Sequence, residues 1–237
     1  MILAIAVAIA AAQAPAAQCP NLVTPQAFTC RALQASNAGN PEAAAEAFEQ
    51  AANAQSDDEV EKARLLAASG NMWIAAGQAG KAAVALDKAL SGTGLQAEQR
   101  GEALLDRARA AEAQNDLKMA RSKVTEAART ISGDPFLWYF SAALAIREGD
   151  AVTAKAAINQ ALTLEPNDPT VLFEAGHVFQ FAGDDAKARE YWTRSAAADP
   201  KGKSGDAARR ALAMLDVPLT VTDQVTTQPV QGESEGQ

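Results

Sequence analysis

Apolar residues recur along the chain at intervals of three and four, which is the spacing of one face of an α-helix. Short breaks separate these helical segments, and Gly183 followed by Asp184 marks one of them. Glycine adopts the left-handed conformation that often ends a helix, and aspartate is a preferred residue just before the next helix. The pattern from 169 to 200 therefore predicts two helices joined by a tight turn.

The same helix-turn-helix pattern recurs with a period of 34 residues. Gly149 and Asp150 occupy the places that Gly183 and Asp184 occupy one period later. Counting backwards in the same phase predicts five units, at 25–58, 63–96, 101–134, 135–168 and 169–202. Four residues follow each of the first two units, and we expect them to lie in the turns between units, where insertions leave the packed helices undisturbed.

Each unit has a small residue at its eighth position and alanine at its twentieth. A larger side chain there would hold the two helices of a unit farther apart than the usual interaxial distance of about 8–10 Å. The small residues at the eighth position are Ala32, Gly70, Ala108, Ala142 and Gly176. Bulky residues such as Trp192 at position 24 are expected to fill the remaining space.

This period, with its small residues, bulky position 24 and proline at position 32, resembles the tetratricopeptide repeat. The fourth and fifth units match best, ending in Pro166 and Pro200, whereas the first three lack this proline. The resemblance implies an all-α fold, an α-solenoid of about five repeats, since a single repeat cannot bury its own apolar face.

The segments that flank the repeats have their own patterns. An unbroken apolar run from Ile2 to Ala12, followed by small residues, is too short to span a membrane and is typical of a secretory signal. The predicted segments are a signal peptide at 1–16, a linker at 17–24, a helix at 203–215 that covers the last repeat, and a disordered tail at 216–237.

The two cysteines, Cys19 and Cys30, lie just after this signal. An even number of cysteines in an exported chain predicts a disulfide. A lipid-modified Cys19 and a pair of free thiols are the alternatives. With export, the predicted location is the periplasm or cell envelope of a Gram-negative bacterium, without a stable membrane span in the mature chain.

Composition and residue counts disfavour several kinds of function. The net charge is −8 with no cluster of lysine and arginine, so a nucleic-acid partner is not expected. The single histidine, His177, has no second histidine to complete a zinc site, and no serine or cysteine is placed beside a base. We therefore expect no enzymatic activity, no metal and no cofactor.

The resemblance also implies a binding surface. In the tetratricopeptide family, positions 2, 5, 9 and 12 of each first helix line the concave face, where partners bind. Carried onto this chain, these positions include the expected partner-binding residues Arg64, Asn71, Arg109, Phe136, Tyr139, Phe173, His177 and Gln180. Arg64 and Arg109 are expected to orient acidic groups of a partner, and the alternative for the aromatic rings is packing between repeats. Position 5 has no basic residue, which disfavours a clamp for a terminal carboxylate.

The sequence therefore predicts a non-enzymatic scaffold that binds a peptide or a protein in the groove of an exported repeat array. The alternative is a self-associating protein or a structural component of a larger envelope complex. In that case the buried surface would be the convex or terminal face, and homo-oligomers would form without any partner.

Overall fold

The computed structural model describes residues 18–216, and within this range it consists of helices joined by short turns, with no strand. The eleven helices are α1 (Pro25–Asn37), α2 (Pro41–Ala54), α3 (Glu59–Ala75), α4 (Ala79–Ser91), α5 (Ala97–Ala113), α6 (Leu117–Ala127), α7 (Pro135–Glu148), α8 (Ala151–Leu164), α9 (Pro169–Phe181), α10 (Asp185–Ala198) and α11 (Lys203–Leu215). They form five consecutive pairs followed by α11, which confirms the predicted all-α class.

The predicted signal peptide at 1–16 and the predicted tail at 216–237, apart from its first residue, lie outside the described residues. The described part of the predicted linker is an irregular segment that leads into α1. Among the helices of residues 18–216, none combines the length and the apolar character needed to cross a membrane.

The chain divides by its internal packing into two compact units. The first unit contains α1–α8, where each helix packs against the next one and α3 also contacts α5. The second unit begins at Glu165 and contains α9–α11, where α11 packs against both α9 and α10. The buried residues of α11 are small, Gly205 and Ala208, which allows this close packing.

The helix ends follow from local residues. Asp134 and Asp184 each precede a helix and accept a hydrogen bond from a backbone N–H of its first turn. Gly149 and Gly183 lie in the turns before α8 and α10 with φ of +77°, a conformation that is strained for residues with a side chain. The turn predicted from the sequence pattern is thus confirmed.

Helices α3 and α5 are 17 residues long, and the other helices span between 11 and 14 residues. They begin at Glu59 and Ala97, four residues before the predicted unit boundaries at 63 and 101. The expectation that the inserted residues lie in the turns was therefore wrong. Four residues add about one helical turn, so the rest of each helix keeps the same face toward its neighbours.

The small residues at the eighth position allow the two helices of a repeat to approach closely. A Cβ atom on Gly176 would lie 2.2 Å from Trp192 Nε1, and one on Gly70 would lie 2.4 Å from Leu86 Cγ. The Trp192 ring is fixed in this place because its Nε1–H donates to the Phe173 carbonyl at 3.1 Å. The predicted packing role of these positions is confirmed.

Alanines and a few large side chains make up the core of the first unit. The Trp73 side chain is buried between helices, and its Nε1–H donates to Glu49 Oε1 at 3.0 Å. The hydroxyl of buried Ser69 donates to the Ala45 carbonyl at 3.1 Å. Within residues 18–216, every fully buried side-chain nitrogen or oxygen has a hydrogen-bond partner, so the core carries no cost from unpaired polar atoms.

The segment before α1 is attached to that helix by a covalent bond and by hydrogen bonds. A disulfide joins Cys19 to Cys30, which lies in α1. The guanidinium of Arg31 donates to the carbonyls of Pro20 and Leu22 at 2.7 and 3.1 Å. The segment is therefore held along α1 at several points.

We predict that Gly176→Ala lowers the free energy of unfolding by about 1–3 kcal/mol, because the new methyl group would overlap the fixed Trp192 ring. Gly80→Ala is the matched control, since Gly80 lies in α4 and a Cβ there has no atom within 4 Å. This control is expected to be neutral or to stabilise by up to about 1 kcal/mol. Urea unfolding followed by circular dichroism measures both, and equal stability of the two variants would contradict the close-contact interpretation.

Candidate functional site

The first helices of successive repeats in the first unit line a pocket of about 650 Å³. Helices α1, α3 and α5 contribute most of the lining, and the start of α7 closes one side. The lining residues include Leu33 and Ser36 of α1, Arg64, Asn71 and Met72 of α3, Glu102, Leu105, Asp106 and Arg109 of α5, and Asp134 and Phe136 at α7. Side chains that are far apart in the sequence therefore meet on one face.

Apolar side chains form the floor of this pocket. Phe48, Leu95 and Leu105 line it and are themselves buried in the core, so the floor is held by the packing of the helices. Leu33 lies at the rim, where 54% of its surface is exposed. An exposed apolar side chain beside a buried apolar floor is a favourable contact for an apolar group of a ligand.

Asp106 is the centre of the polar network in the pocket. Asn71 Nδ2 donates to one of its carboxylate oxygens at 2.8 Å, and Arg109 Nη1 donates to the other at 2.8 Å. The Arg109 guanidinium carbon also lies 5.3 Å from the centre of the Phe136 ring, in a cation–π contact. Asp106 and Arg109 thus neutralise each other, and the network joins α3, α5 and α7.

Glu102 is an unpaired carboxylate in the same pocket. It lies one helical turn before Asp106 on α5 and has no hydrogen-bond or ion-pair partner within residues 18–216. Partial burial raises the pKa of the Glu102 carboxyl, and the negative charges of Glu98, Asp106 and Asp134 raise it further. Three other carboxylates therefore lie close enough to Glu102 to act on its charge.

The pocket brings together four of the expected partner-binding residues, namely Arg64, Asn71, Arg109 and Phe136. Tyr139 lies next to this group, with its ring at 5.0 Å from the Phe136 ring in an edge-to-face arrangement. The expected role of Arg109 toward a partner's acidic group stays a prediction, and in this structure its guanidinium is paired with Asp106. Arg64 lies at 3.9 Å from Glu61, one helical turn away.

The other expected residues lie in the second unit. The His177 ring lies 4.5 Å from the Phe173 ring and 5.3 Å from the ring of Trp192, which is buried. Burial lowers the pKa of the His177 imidazole. His177 therefore packs against Trp192 between the two helices of the fifth repeat, and Phe173 packs beside His177. Gln180 is exposed near the end of α9.

The acidic side chains of the pocket, Glu102, Asp106 and Asp134, were not among the residues predicted from the sequence. Glu102 is the second residue of the third repeat, so the position rule used for the other groove residues also points to it. Asp134 accepts a hydrogen bond from the Phe136 N–H at 2.8 Å, as expected for a residue that caps α7. Asp106 had no comparable signal, because its contacts to Asn71 depend on how α3 packs beside α5.

Within residues 18–216, no group of three or more His, Cys, Asp or Glu side chains is arranged to hold a metal ion. The polar side chains of the pocket carry two guanidiniums, three carboxylates, two amides and one hydroxyl around an apolar floor. Such a surface can bind a chain segment by burying apolar side chains and by pairing charged ones at the rim.

Several solved structures are similar to this chain. PilW, a widely conserved type IV pilus biogenesis factor, matches with a TM-score of 0.66 and 16% identity, over 78% of this chain and 82% of PilW. Pseudomonas aeruginosa PilF gives 0.63 and 15%, over 80% and 82% of the two chains. YrrB, described as a TPR protein with an unusual peptide-binding site, gives 0.57 and 17%, over 78% and 90%.

Comparison with known protein families and with curated proteins gives no match to the sequence. The structural similarities nevertheless establish the fold. The chain has the tetratricopeptide-repeat fold, an all-α solenoid class, which confirms the resemblance found in the sequence. At 15–17% identity this similarity concerns the fold alone.

Glu174 is a second carboxylate without a partner in the described part of the chain. It lies on α9 between Phe173 and His177 in sequence order, and its burial raises the pKa of the carboxyl. A raised folded-state pKa favours the folded protein below the unfolded value of 4.5, and this contribution is lost as the pH rises through the folded pKa. At neutral pH the ionised Glu174 therefore lowers stability.

We predict that Glu174→Gln raises the midpoint of thermal unfolding at pH 7 by about 2–4 °C, the shift that about 1 kcal/mol produces in a chain of this size. The gain should shrink as the pH is lowered toward 4, because wild-type Glu174 is then protonated. Glu46→Gln controls for the general loss of one negative charge, since Glu46 is exposed on α2 and has no ion-pair partner within residues 18–216. Calorimetry at several pH values measures the effect, and a gain independent of pH would contradict it.

Proposed function

We propose that this protein is a non-enzymatic scaffold that binds a peptide or a segment of another protein on the first-helix face of its repeats. The pocket between α1, α3, α5 and α7 carries this proposal. Its volume of about 650 Å³ lies within the range of ligand-binding pockets, and it combines an apolar floor with a few directed polar groups. YrrB, which has the same fold, is described as having a peptide-binding site, and this supports the same kind of ligand here.

The composition of the pocket favours a chain segment as the ligand. Phe136 and Arg109 are of the residue types that dominate binding energy at protein interfaces, and they stack on each other at the pocket wall. The Arg109–Asp106 pair and the Asn71 hydrogen bond fix the wall before any ligand binds, which reduces the entropy lost on binding. We propose that the partner makes additional contacts with the other expected residues, Tyr139, Phe173, His177 and Gln180.

We further propose that the protein functions in the cell envelope. Disulfides persist in oxidising compartments such as the bacterial periplasm, and Cys19 is joined to Cys30. The apolar run of residues 2–12 has the character of an export signal. PilW, which shares the fold, is described as a type IV pilus biogenesis factor. It supports an envelope-related role for this chain by analogy of fold only.

We predict that Leu33→Gln weakens capture of a specific partner by about fivefold or more, because it removes apolar surface from the rim of the pocket. Val84→Gln is the matched control: Leu33 and Val84 are 54% and 55% exposed, and both lie in helices, but Val84 is outside the pocket. Quantitative cross-linking in intact cells, followed by mass spectrometry and then by titration of the purified partner, measures the loss.

The two variants must first give unchanged circular dichroism spectra. Loss of one partner with Leu33→Gln and its retention with Val84→Gln is the expected result. Equal capture by both variants and the wild type would place the interaction outside the pocket. Recovery of only the protein itself, together with a stable oligomer in light scattering, would instead support the self-associating alternative.

Export is tested separately with a fusion of residues 1–24 to alkaline phosphatase, which is active only after transfer to an oxidising compartment. We predict an active fusion, and an inactive one when residues 2–12 are removed. Thiol alkylation of the full chain should then find Cys19 and Cys30 protected only in the exported protein. An inactive fusion with an intact apolar run would contradict the proposed location.

A further inference from the structure

The pocket has two chemically distinct parts. Leu105 and Leu95 form a buried apolar floor, and Leu33 extends it to the exposed rim. Glu102, Asp106 and Asp134 supply three carboxylates to the same lining, beside the two guanidiniums of Arg64 and Arg109. A ligand that fills this pocket therefore meets an apolar surface and a charged wall at the same time.

Some of these charged groups are paired within the protein, and others are not. Arg109 is paired with Asp106, which also accepts from Asn71, so these groups are neutralised within the protein. Asp134 is engaged in capping α7 through the Phe136 N–H but keeps its negative charge. Glu102 has no partner in residues 18–216, and no cation of the pocket lies within ion-pair distance of it.

The second cation does not offset this excess. Arg64 lies 3.9 Å from the Glu61 carboxylate, with side chains that are 41% and 44% exposed. An exposed pair at this distance leaves each charge largely screened by water, and Glu61 carries the opposite charge one helical turn from Arg64. After internal pairing, the charge that the pocket offers to a ligand is negative.

Charge also argues against two occupants from this chain itself. The residues after Asp216 include Asp223, Glu233 and Glu235 but no lysine or arginine, so they would be repelled by the carboxylates. A second copy of the chain carries the same net charge of −8. Like charges placed together in a partly desolvated site weaken binding, so neither is a favourable occupant.

We propose that this pocket recognises a segment of a partner protein in which an apolar side chain lies close to a lysine or arginine. The apolar side chain occupies the floor beside Leu33 and Leu105, and the cation pairs with Glu102. This inference rests on the proposed function, since it names the chemistry of the segment that the scaffold binds.

A display library of random twelve-residue peptides, selected on the immobilised full chain, supplies the probes for a test. The dissociation constant of each enriched peptide is measured for the wild type, Leu33→Gln, Gln34→Ala, Glu102→Gln and Glu46→Gln. Glu46 is the matched control because it is an exposed helical glutamate that does not line the pocket. Leu33 also borders a second cavity, which Gln34 lines and the pocket does not share, so the peptides that occupy the pocket are those that Leu33→Gln weakens and Gln34→Ala leaves unchanged.

The expected result is that pocket-binding peptides are enriched in lysine and arginine next to an apolar residue. Glu102→Gln should weaken them about fivefold, at the upper limit for an exposed ion pair, and Glu46→Gln should leave them unchanged. Added salt should reduce the difference between the wild type and Glu102→Gln, because it screens the same pair. Glu102→Lys should shift the selection toward acidic peptides.

Two other outcomes overturn the inference in distinguishable ways. Peptides that depend on Leu33 but carry no excess of basic residues, or that bind Glu102→Gln as tightly as the wild type, would refute the role of Glu102 and leave the proposed function intact. A selection that yields no peptide sensitive to Leu33→Gln would contradict peptide binding in the pocket itself, and with it both proposals.

Discussion

The close contact between the two helices of each repeat is the constraint on which the rest of the structure depends. In the fifth repeat, the Trp192 ring occupies the place where a Cβ on Gly176 would lie, and Leu86 does the same at Gly70 in the second repeat. Where the small residue is alanine, as at Ala142, it is fully buried. This contact fixes the distance between paired helices, and so it decides which face of each first helix stays free for other contacts.

The pocket is a consequence of those free faces. In the first unit α3 contacts both α4 and α5, so its remaining side chains lie beside those of α5. Asn71 and Asp106, 35 residues apart in sequence, hydrogen-bond across this boundary. The polar network therefore has two effects: it stabilises the alignment of neighbouring repeats, and it holds Arg109 against Phe136 at the pocket wall.

Periodicity in the sequence predicted the helices, their turns and the small residues, because each depends on spacing within one repeat. The helical turn added to α3 and α5 could not be predicted this way. Four residues make about one helical turn, so the apolar pattern of the rest of the helix stays in phase and does not show where the helix begins. The ion pair between Arg109 and Asp106 could not be predicted from the sequence either. Position in the repeat predicts the face that carries Arg109, but its partner depends on the neighbouring side chains after packing.

The positions that bring the two helices of a repeat together differ from the position of Glu102. The eighth and twenty-fourth positions form the close contacts, whereas Glu102 has no hydrogen bond or ion pair within residues 18–216. The fifth position carries no basic residue in any repeat, and Arg109 is neutralised by Asp106. The proposed preference for a cationic segment rests on this pairing, because it leaves the Glu102 carboxylate as the group without a partner within the described residues.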